Sequence, residues 1–199
     1  MRAMLLRFCQ WLDETYWSTR LHESLWGYPL TESTHVWALA LFVGFAVLLD
    51  LRLLGWALPR VPVSEVARRL LPWTRAGFVV MVVTGFMLFY AIPVRSYQNI
   101  FFRVKIILLI LAGLNAFLFH NGIFKRVASW DKQIPPPPRA RFAGAASLLL
   151  WAMIIFAGRM IAYNWFDCDR QPQPDWVNWA AGCVSEPPES ASTTHESLP

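Results

Sequence analysis

Three ionisable side chains interrupt long apolar stretches of this 199-residue sequence: His35, Lys105 and Arg159. Tyr163 follows Arg159 by four residues, which places both on one face of a helix, and Glu32 precedes His35 by three. A neutral imidazole is a common axial ligand of haem iron, and Lys, Arg and Tyr side chains can neutralise haem propionates or hold a quinone head group. Because charge inside an apolar segment is costly and marks function, these five residues form the candidate cofactor site.

The elements that must position these residues are membrane spans. Hydrophobic residues make up 56% of the chain and charged residues only 16%, too apolar a balance for a disordered protein, a nucleic-acid module or a small disulfide scaffold. Four stretches reach the roughly 17–25 apolar residues that cross a bilayer, at about 33–53, 74–94, 100–124 and 142–166. Backbone groups in lipid must be satisfied within each segment, so the fold class is all-α, an integral membrane four-helix bundle over 31–166.

Depth along these spans brings the candidate site together. His35 lies about one turn inside the first span, Lys105 one to two turns inside the third, and Arg159 in the last two turns of the fourth. All three then sit beneath the same membrane face. His120 belongs to the opposite face, so a bis-histidine haem site within one chain is not expected. The alternative for Lys105 and Arg159 is that they extend to the interface without binding anything.

Residues 1–30 are predicted to form an interfacial amphipathic segment. Leu5, Phe8, Cys9, Leu12 and Tyr16 recur at helical spacing, with charged residues between them. The alternative is a soluble helix packed on the end of the bundle. Thr31 is a plausible N-cap of the first span, since threonine is common at that position.

The positive-inside rule orients the bundle. The two loops on the far side from the N terminus carry 10 of the 18 basic residues and 3 of the 13 acidic ones, so both termini are expected outside the cytoplasm. Cys168 and Cys183 bracket a loop on the outer side and are expected to form a disulfide there, with Cys9 left over; two unpaired thiols are the alternative. Residues 167–199 are predicted to be an extracytoplasmic loop and a disordered tail.

The cytoplasmic end has its own polar residues, which we interpret structurally. Asp50 is expected to pair with Arg75 or Arg141, and Asn115 to bridge two helices by a hydrogen bond. Thr84 is expected only to bond its own helix backbone. Five glycines are interpreted as close-packing points between helices: Gly44, Gly77, Gly85, Gly113 and Gly158.

Several local strings together resemble an uncharacterised family of bacterial four-helix membrane proteins over about residues 20–165. The strings are Trp26-Gly27-Tyr28-Pro29 with Glu32 and His35, Asp50-Leu51-Arg52-Leu53-Leu54-Gly55, Leu71-Pro72-Trp73 with Gly77, Thr84-Gly85, Lys105 with Asn115 and His120, Trp130-Asp131, and Gly158-Arg159 with Ala162-Tyr163. This resemblance implies a fold but no activity.

More distantly, the layout is similar to the membrane protoporphyrinogen oxidase and copper-resistance D families. Those families have a histidine early in the first helix and a lysine in the third, where this chain has His35 and Lys105. The resemblance implies haem binding at His35 and porphyrin or quinone redox chemistry. The string from Asp50 to Gly55 and the cysteine-containing tail depart from those families and speak against porphyrinogen oxidation in particular.

The preferred prediction is a cytochrome b-like electron-transfer subunit of a bacterial inner membrane. It would bind haem b through His35. If the protein is an enzyme, it is expected to be an oxidoreductase, and no residue is predicted to be catalytic. Quinone is a further expected ligand. Expected partners are the lipid bilayer and membrane or periplasmic redox subunits or a second copy of the chain, with no nucleic acid. The alternatives are a non-catalytic structural or assembly subunit and, third, a small transporter.

Overall fold

The chain is an all-α membrane helical bundle. The computed structural model describes residues 2–163, 166, 168 and 172–183, and contains no strand within them. The predicted disordered tail from 184 onward and the last residues of the predicted fourth span, 164 and 165, lie outside the described residues. The described α-helices are α1 Arg2–Asp13, α2 Tyr16–Glu23, α3 Gly27–Leu54, α4 Val63–Ala91, α5 Pro93–Tyr97, α6 Ile100–Leu118, α7 Pro138–Ile161 and α8 Asp175–Ala181.

Four helices are long and apolar enough to cross a membrane: α3, α4, α7, and α6 with its continuation to Ser129. The third span ends its regular helix at Leu118, six residues before the predicted end. A π-helical turn over Phe119–Ile123 and a 3₁₀ turn over Phe124–Ser129 then lead into the loop. Such turns re-aim the chain at the end of a helix.

The second span begins at Val63, eleven residues before its predicted start. Its first turns are polar, which is why hydropathy missed them. The Asp131 carboxylate accepts hydrogen bonds from Ser64 N at 2.8 Å and Ser64 Oγ at 2.5 Å, so a residue from another loop caps this helix. Glu65 pairs with Arg68 and Arg69 one turn further on.

The first span also begins earlier than predicted, at Gly27. Thr31 therefore does not cap it. The Thr31 hydroxyl lies inside the helix and donates to Gly27 O at 2.7 Å, while the Ser24 hydroxyl accepts from Gly27 N at 2.8 Å. The first turn of α3 contains Pro29, a residue that interrupts helix interiors but is well tolerated in the first turn of a helix.

The N-terminal segment forms two helices, α1 and α2, which pack in part against the end of the bundle. Cys9 and Ser18 are buried against the bundle end, and Ser18 Oγ donates to Tyr90 O at 2.8 Å. Burial, helped by the negative charge of Asp13, raises the pKa of the Cys9 thiol. Phe8, Trp11 and other large apolar side chains of the same helices stay exposed, as suits a membrane interface.

The spanning helices pack in the order α6, α7, α3, α4. Small residues allow the closest approaches. A Cβ at Gly144 of α7 would lie 3.0 Å from Asp50 O of α3, and one at Gly77 of α4 would lie 3.2 Å from Phe42 Cβ. The α4 and α6 helices meet at one end, where the stacked rings of Phe89 and Phe102 have centres 5.5 Å apart, and make little other contact, so the bundle is open between them over part of its length.

Candidate functional site

A cavity of about 1410 Å³ lies between the four spanning helices. It exceeds the roughly 300–1,000 Å³ of a typical small-molecule pocket. Apolar side chains line its middle, among them Phe42, Met81 and Trp151. Side chains of α4 and α6 line the side where those helices are least closely packed, among them Phe78, Val82, Phe86, Ile106 and Leu109. The cavity therefore borders the bilayer through the gap between α4 and α6.

His35 lies in the wall of this cavity and hydrogen-bonds to Thr84. Its Nδ1 lies 3.0 Å from the Thr84 hydroxyl oxygen, which itself donates to Val80 O at 2.7 Å. In this arrangement the hydroxyl accepts from His35 Nδ1–H, and the Nε2 of the neutral imidazole is then unprotonated. Metal-bound histidines commonly have their second ring nitrogen hydrogen-bonded in this way.

Gly85 makes room for the imidazole. A Cβ built on Gly85 would lie 3.3 Å from His35 Cε1, closer than most Cβ contacts. Gly85 thus packs against the ring of His35 and not only against a helix backbone. The prediction that Gly85 is a close-packing point is confirmed, with the imidazole as the packed group.

Lys105 lies in the same cavity, from α6. Its Nζ is 3.6 Å from the position that a Cβ of Gly158 would occupy, so the ammonium group lies against α7. The part of α6 that follows Lys105 is held against α7 by the buried side chains of Leu108 and Ala112, which pack on Ile154 and Ala157. The ion pairs of the described residues both involve Glu65, so Lys105 brings an uncompensated positive charge to the cavity.

Arg159 and Glu32 also line the cavity, whereas Tyr163 does not. The Arg159 guanidinium lies over the Tyr163 ring at 5.4 Å, with Tyr163 itself 46% exposed. Four of the five predicted site residues are therefore cavity residues, and the fifth, Tyr163, contacts one of them, Arg159. Sequence reasoning missed Arg95 and Asn99, which line the cavity too. The sequence feature that could have identified them is Pro93, which ends the second span and turns the chain back over the bundle.

The end of the cavity opposite His35 differs from expectation at one point. Asp50 is 6% exposed, and its Oδ2 atom has no hydrogen-bond partner. The predicted ion pair with Arg75 or Arg141 is wrong within the described residues, whose ion pairs lie elsewhere. Ser147 is the polar side chain beside the Asp50 carboxyl group.

Asn115 behaves as predicted. Its Nδ2 donates to Ala143 O at 3.0 Å and so joins α6 to α7.

At the end of the bundle that carries His35, a disulfide links the C-terminal segment near Arg103. Cys168 and Cys183 form a disulfide with Sγ atoms 2.10 Å apart. Arg103 donates to Ala180 O and to Ala181 O, the latter at 2.7 Å, and so binds the C-terminal end of α8. Its guanidinium also lies 4.7 Å from the centre of the Tyr97 ring. This role of Arg103 was not predicted from the sequence.

Comparisons with known proteins identify a family without an activity. No curated protein matches this chain, and no solved structure matches it. The resemblance to protoporphyrinogen oxidase and copper-resistance D proteins thus stays a prediction. Residues 14–164, which include every spanning helix, match a family of unknown function. The chain therefore belongs to the DUF6644 family.

Proposed function

We propose that this protein is a cytochrome b-like redox subunit of a bacterial cytoplasmic membrane that holds haem b in the cavity. The observation that carries the proposal is His35, whose Nε2 is left unprotonated in the wall of a cavity that also reaches Lys105 and Arg159. Haem supplies one-electron redox chemistry when bound. The residues present fit this group: His35 would ligate the iron, and Lys105 and Arg159 would neutralise the propionates.

Charge balance supports the same assignment. Four cavity residues are cationic, Arg75, Arg95, Lys105 and Arg159, against the two carboxyl groups of Glu32 and Asp50. The three arginines are exposed and Lys105 is half-buried, and this excess gives the cavity a positive potential that favours an anionic ligand. A bundle core lined by facing helices is also a common location for cofactors. No group of three or more metal-ligating His, Cys, Asp or Glu side chains occurs among the described residues, so a metal ion held by the protein alone is less well supported.

Location follows from the same proposal. The Cys168–Cys183 disulfide supports an oxidising compartment on the side where the candidate site lies, and the basic loops support a cytoplasmic opposite face. Electrons would then pass between the membrane and a redox partner on the outer face.

A pyridine haemochrome spectrum of the protein purified from haem-supplemented cells tests the proposal. We expect a haem b spectrum in the wild type and its loss in His35→Ala. His120→Ala is the matched control, because His120 lines the same cavity at the other end and should retain full haem. A wild type without haem, or full haem in His35→Ala, would falsify the proposal.

A quinone head group is a second candidate for the same residues, favoured by the gap between α4 and α6. Through this gap a lipid-soluble ligand can enter from the bilayer. Lys105 would donate to a quinone carbonyl oxygen. Extraction of the haem-free protein followed by quinone analysis distinguishes the two, with Lys105→Met expected to lose quinone and Lys125→Met, a loop lysine, expected to keep it.

A further inference from the structure

Asp50 is the strongest unassigned feature of the molecule. It follows His35 by 15 residues on α3 and therefore lies about 22 Å away along the helix axis, at the opposite end of the cavity. Its side chain is more than nine-tenths buried, and Oδ2 makes no hydrogen bond. Ser147 hydrogen-bonds the carboxyl group, and Oδ2 is left as a buried acceptor that a bound donor would satisfy.

The surroundings of Asp50 are rich in acceptors and aromatic rings. Asn115 Nδ2 donates to Ala143 O, and this bond does not use the Asn115 carbonyl oxygen. The Ser147 hydroxyl is adjacent to the Asp50 carboxyl group. Phe119 and Phe124 line the cavity here, with ring centres 5.9 Å apart, and pack against Leu53. Carboxylate, carbonyl and aromatic faces together suit an ammonium group, since the ring faces also attract cations.

The charged groups nearby do not fill this role. Arg75 lines the cavity from α4, Arg141 lies on α7, and Arg52 is buried two residues further along α3, where its Nε donates to Val61 O at 2.7 Å. None of the three forms an ion pair with Asp50. His120 stacks on Phe124 with ring centres 5.6 Å apart. A bare metal ion is poorly suited, because Asp50 belongs to no cluster of three or more metal-ligating side chains in the described part of the chain.

We propose that the Asp50 end of the cavity binds the ammonium group of an amphiphile, whose apolar tail lies in the cavity and enters through the gap between α4 and α6. The site is separate from the haem site and does not depend on it. Two sources share this chemistry, a free long-chain amine and the ethanolamine head group of a phospholipid. Arg75 is placed on the same cavity wall and would accommodate the phosphate in the second case.

The test is direct binding to the full-length protein in a neutral maltoside detergent, with a radiolabelled long-chain alkylamine as the probe. We expect saturable binding, and no binding of comparable affinity by the alcohol with the same chain. Asp50→Asn should weaken amine binding at least about tenfold, as expected for the loss of a charge-assisted hydrogen bond. Glu32→Gln, which removes the carboxylate at the other end of the cavity, and His35→Ala should both leave it unchanged.

Competition identifies the source. Displacement by phosphatidylethanolamine but not by phosphatidylglycerol supports the lipid, and displacement by neither supports the free amine. If Asp50→Asn does not fold, Ser147→Ala is measured instead. We expect a several-fold loss of amine affinity, because the hydroxyl beside the Asp50 carboxyl group is removed. The proposal is overturned if the alcohol binds as tightly as the amine, if folded Asp50→Asn binds as the wild type does, or if Ser147→Ala is unchanged where Asp50→Asn cannot be made.

Discussion

At the scale of single residues, the imidazole of His35 depends on a neighbour that the sequence could not single out. A histidine inside an apolar run is visible in the sequence, because charge and hydrogen-bonding groups are rare there. Thr84 was expected to bond only its own helix, and it does bond Val80 O. Thr84 also bonds to His35, which lies 49 residues earlier in the chain, and this bond depends on how α3 and α4 align. Residue type alone carries no such information.

Thr84 is predicted to tune the affinity of the site. In Thr84→Val, His35 loses its acceptor, so we expect about a 10–100-fold loss of haem affinity. Haem titration of the apoprotein, followed by absorbance, measures it. Thr74→Val is the matched control, because Thr74 lines the same cavity and bonds only its own backbone, Leu70 O at 2.9 Å. Equal losses in the two variants would contradict the role of Thr84.

At the scale of helices, hydropathy identified the spans but not how closely they approach one another. Gly77 and Gly85 are close-packing points as predicted, whereas a Cβ at Gly44 or Gly113 would meet nothing within 4 Å, so the prediction is wrong for those two. The tightest crossing is at Gly144, which the sequence did not mark. Lipid-facing and helix-facing positions are equally apolar in a membrane protein, and a glycine gives no sign of the surface it faces.

Gly144→Ala is predicted to destabilise the bundle. Its Cβ would lie 3.0 Å from Asp50 O and 3.1 Å from Leu53 Cβ, so α3 and α7 must move apart. We expect a loss of about 1–3 kcal/mol, typical of overpacking. Gly113→Ala, on the uncrowded face of α6, should be neutral or slightly stabilising because alanine is the better helix former. Thermal unfolding in detergent distinguishes the two, and a stable Gly144→Ala variant would refute the close contact.

At the scale of the whole molecule, the four-span count follows from the sequence, and the shape of the bundle does not. Each span was recognisable because its apolar length exceeds what a soluble core requires. The opening between α4 and α6 was not recognisable, since residues such as Phe78 and Ile106 are apolar whether they face a helix, a cavity or lipid. The polar N-terminal end of α4 was missed because hydropathy marks only the apolar part of a helix, and Arg68 and Arg69 lie in helical turns before that part.

Orientation gives a prediction for the molecule as a whole. Alkaline phosphatase is active only when exported, so a fusion at the C terminus should be active and a fusion after Ser129, in the second basic loop, inactive. A fluorescent protein that matures only in the cytoplasm should give the opposite pattern at the same two positions. Phosphatase activity at Ser129 would reverse the topology and separate the disulfide from an oxidising compartment.

Because the bundle is open between α4 and α6, the concentration that sets ligand occupancy is the concentration of ligand in the membrane. A ligand arriving through this opening diffuses in two dimensions, so its occupancy is set by its mole fraction in the membrane and not by its molarity in water. The partition coefficient then multiplies the apparent affinity of every hydrophobic compound. In detergent, the same ligand is diluted by micelles, so titrations at different detergent concentrations give different dissociation constants for an unchanged site.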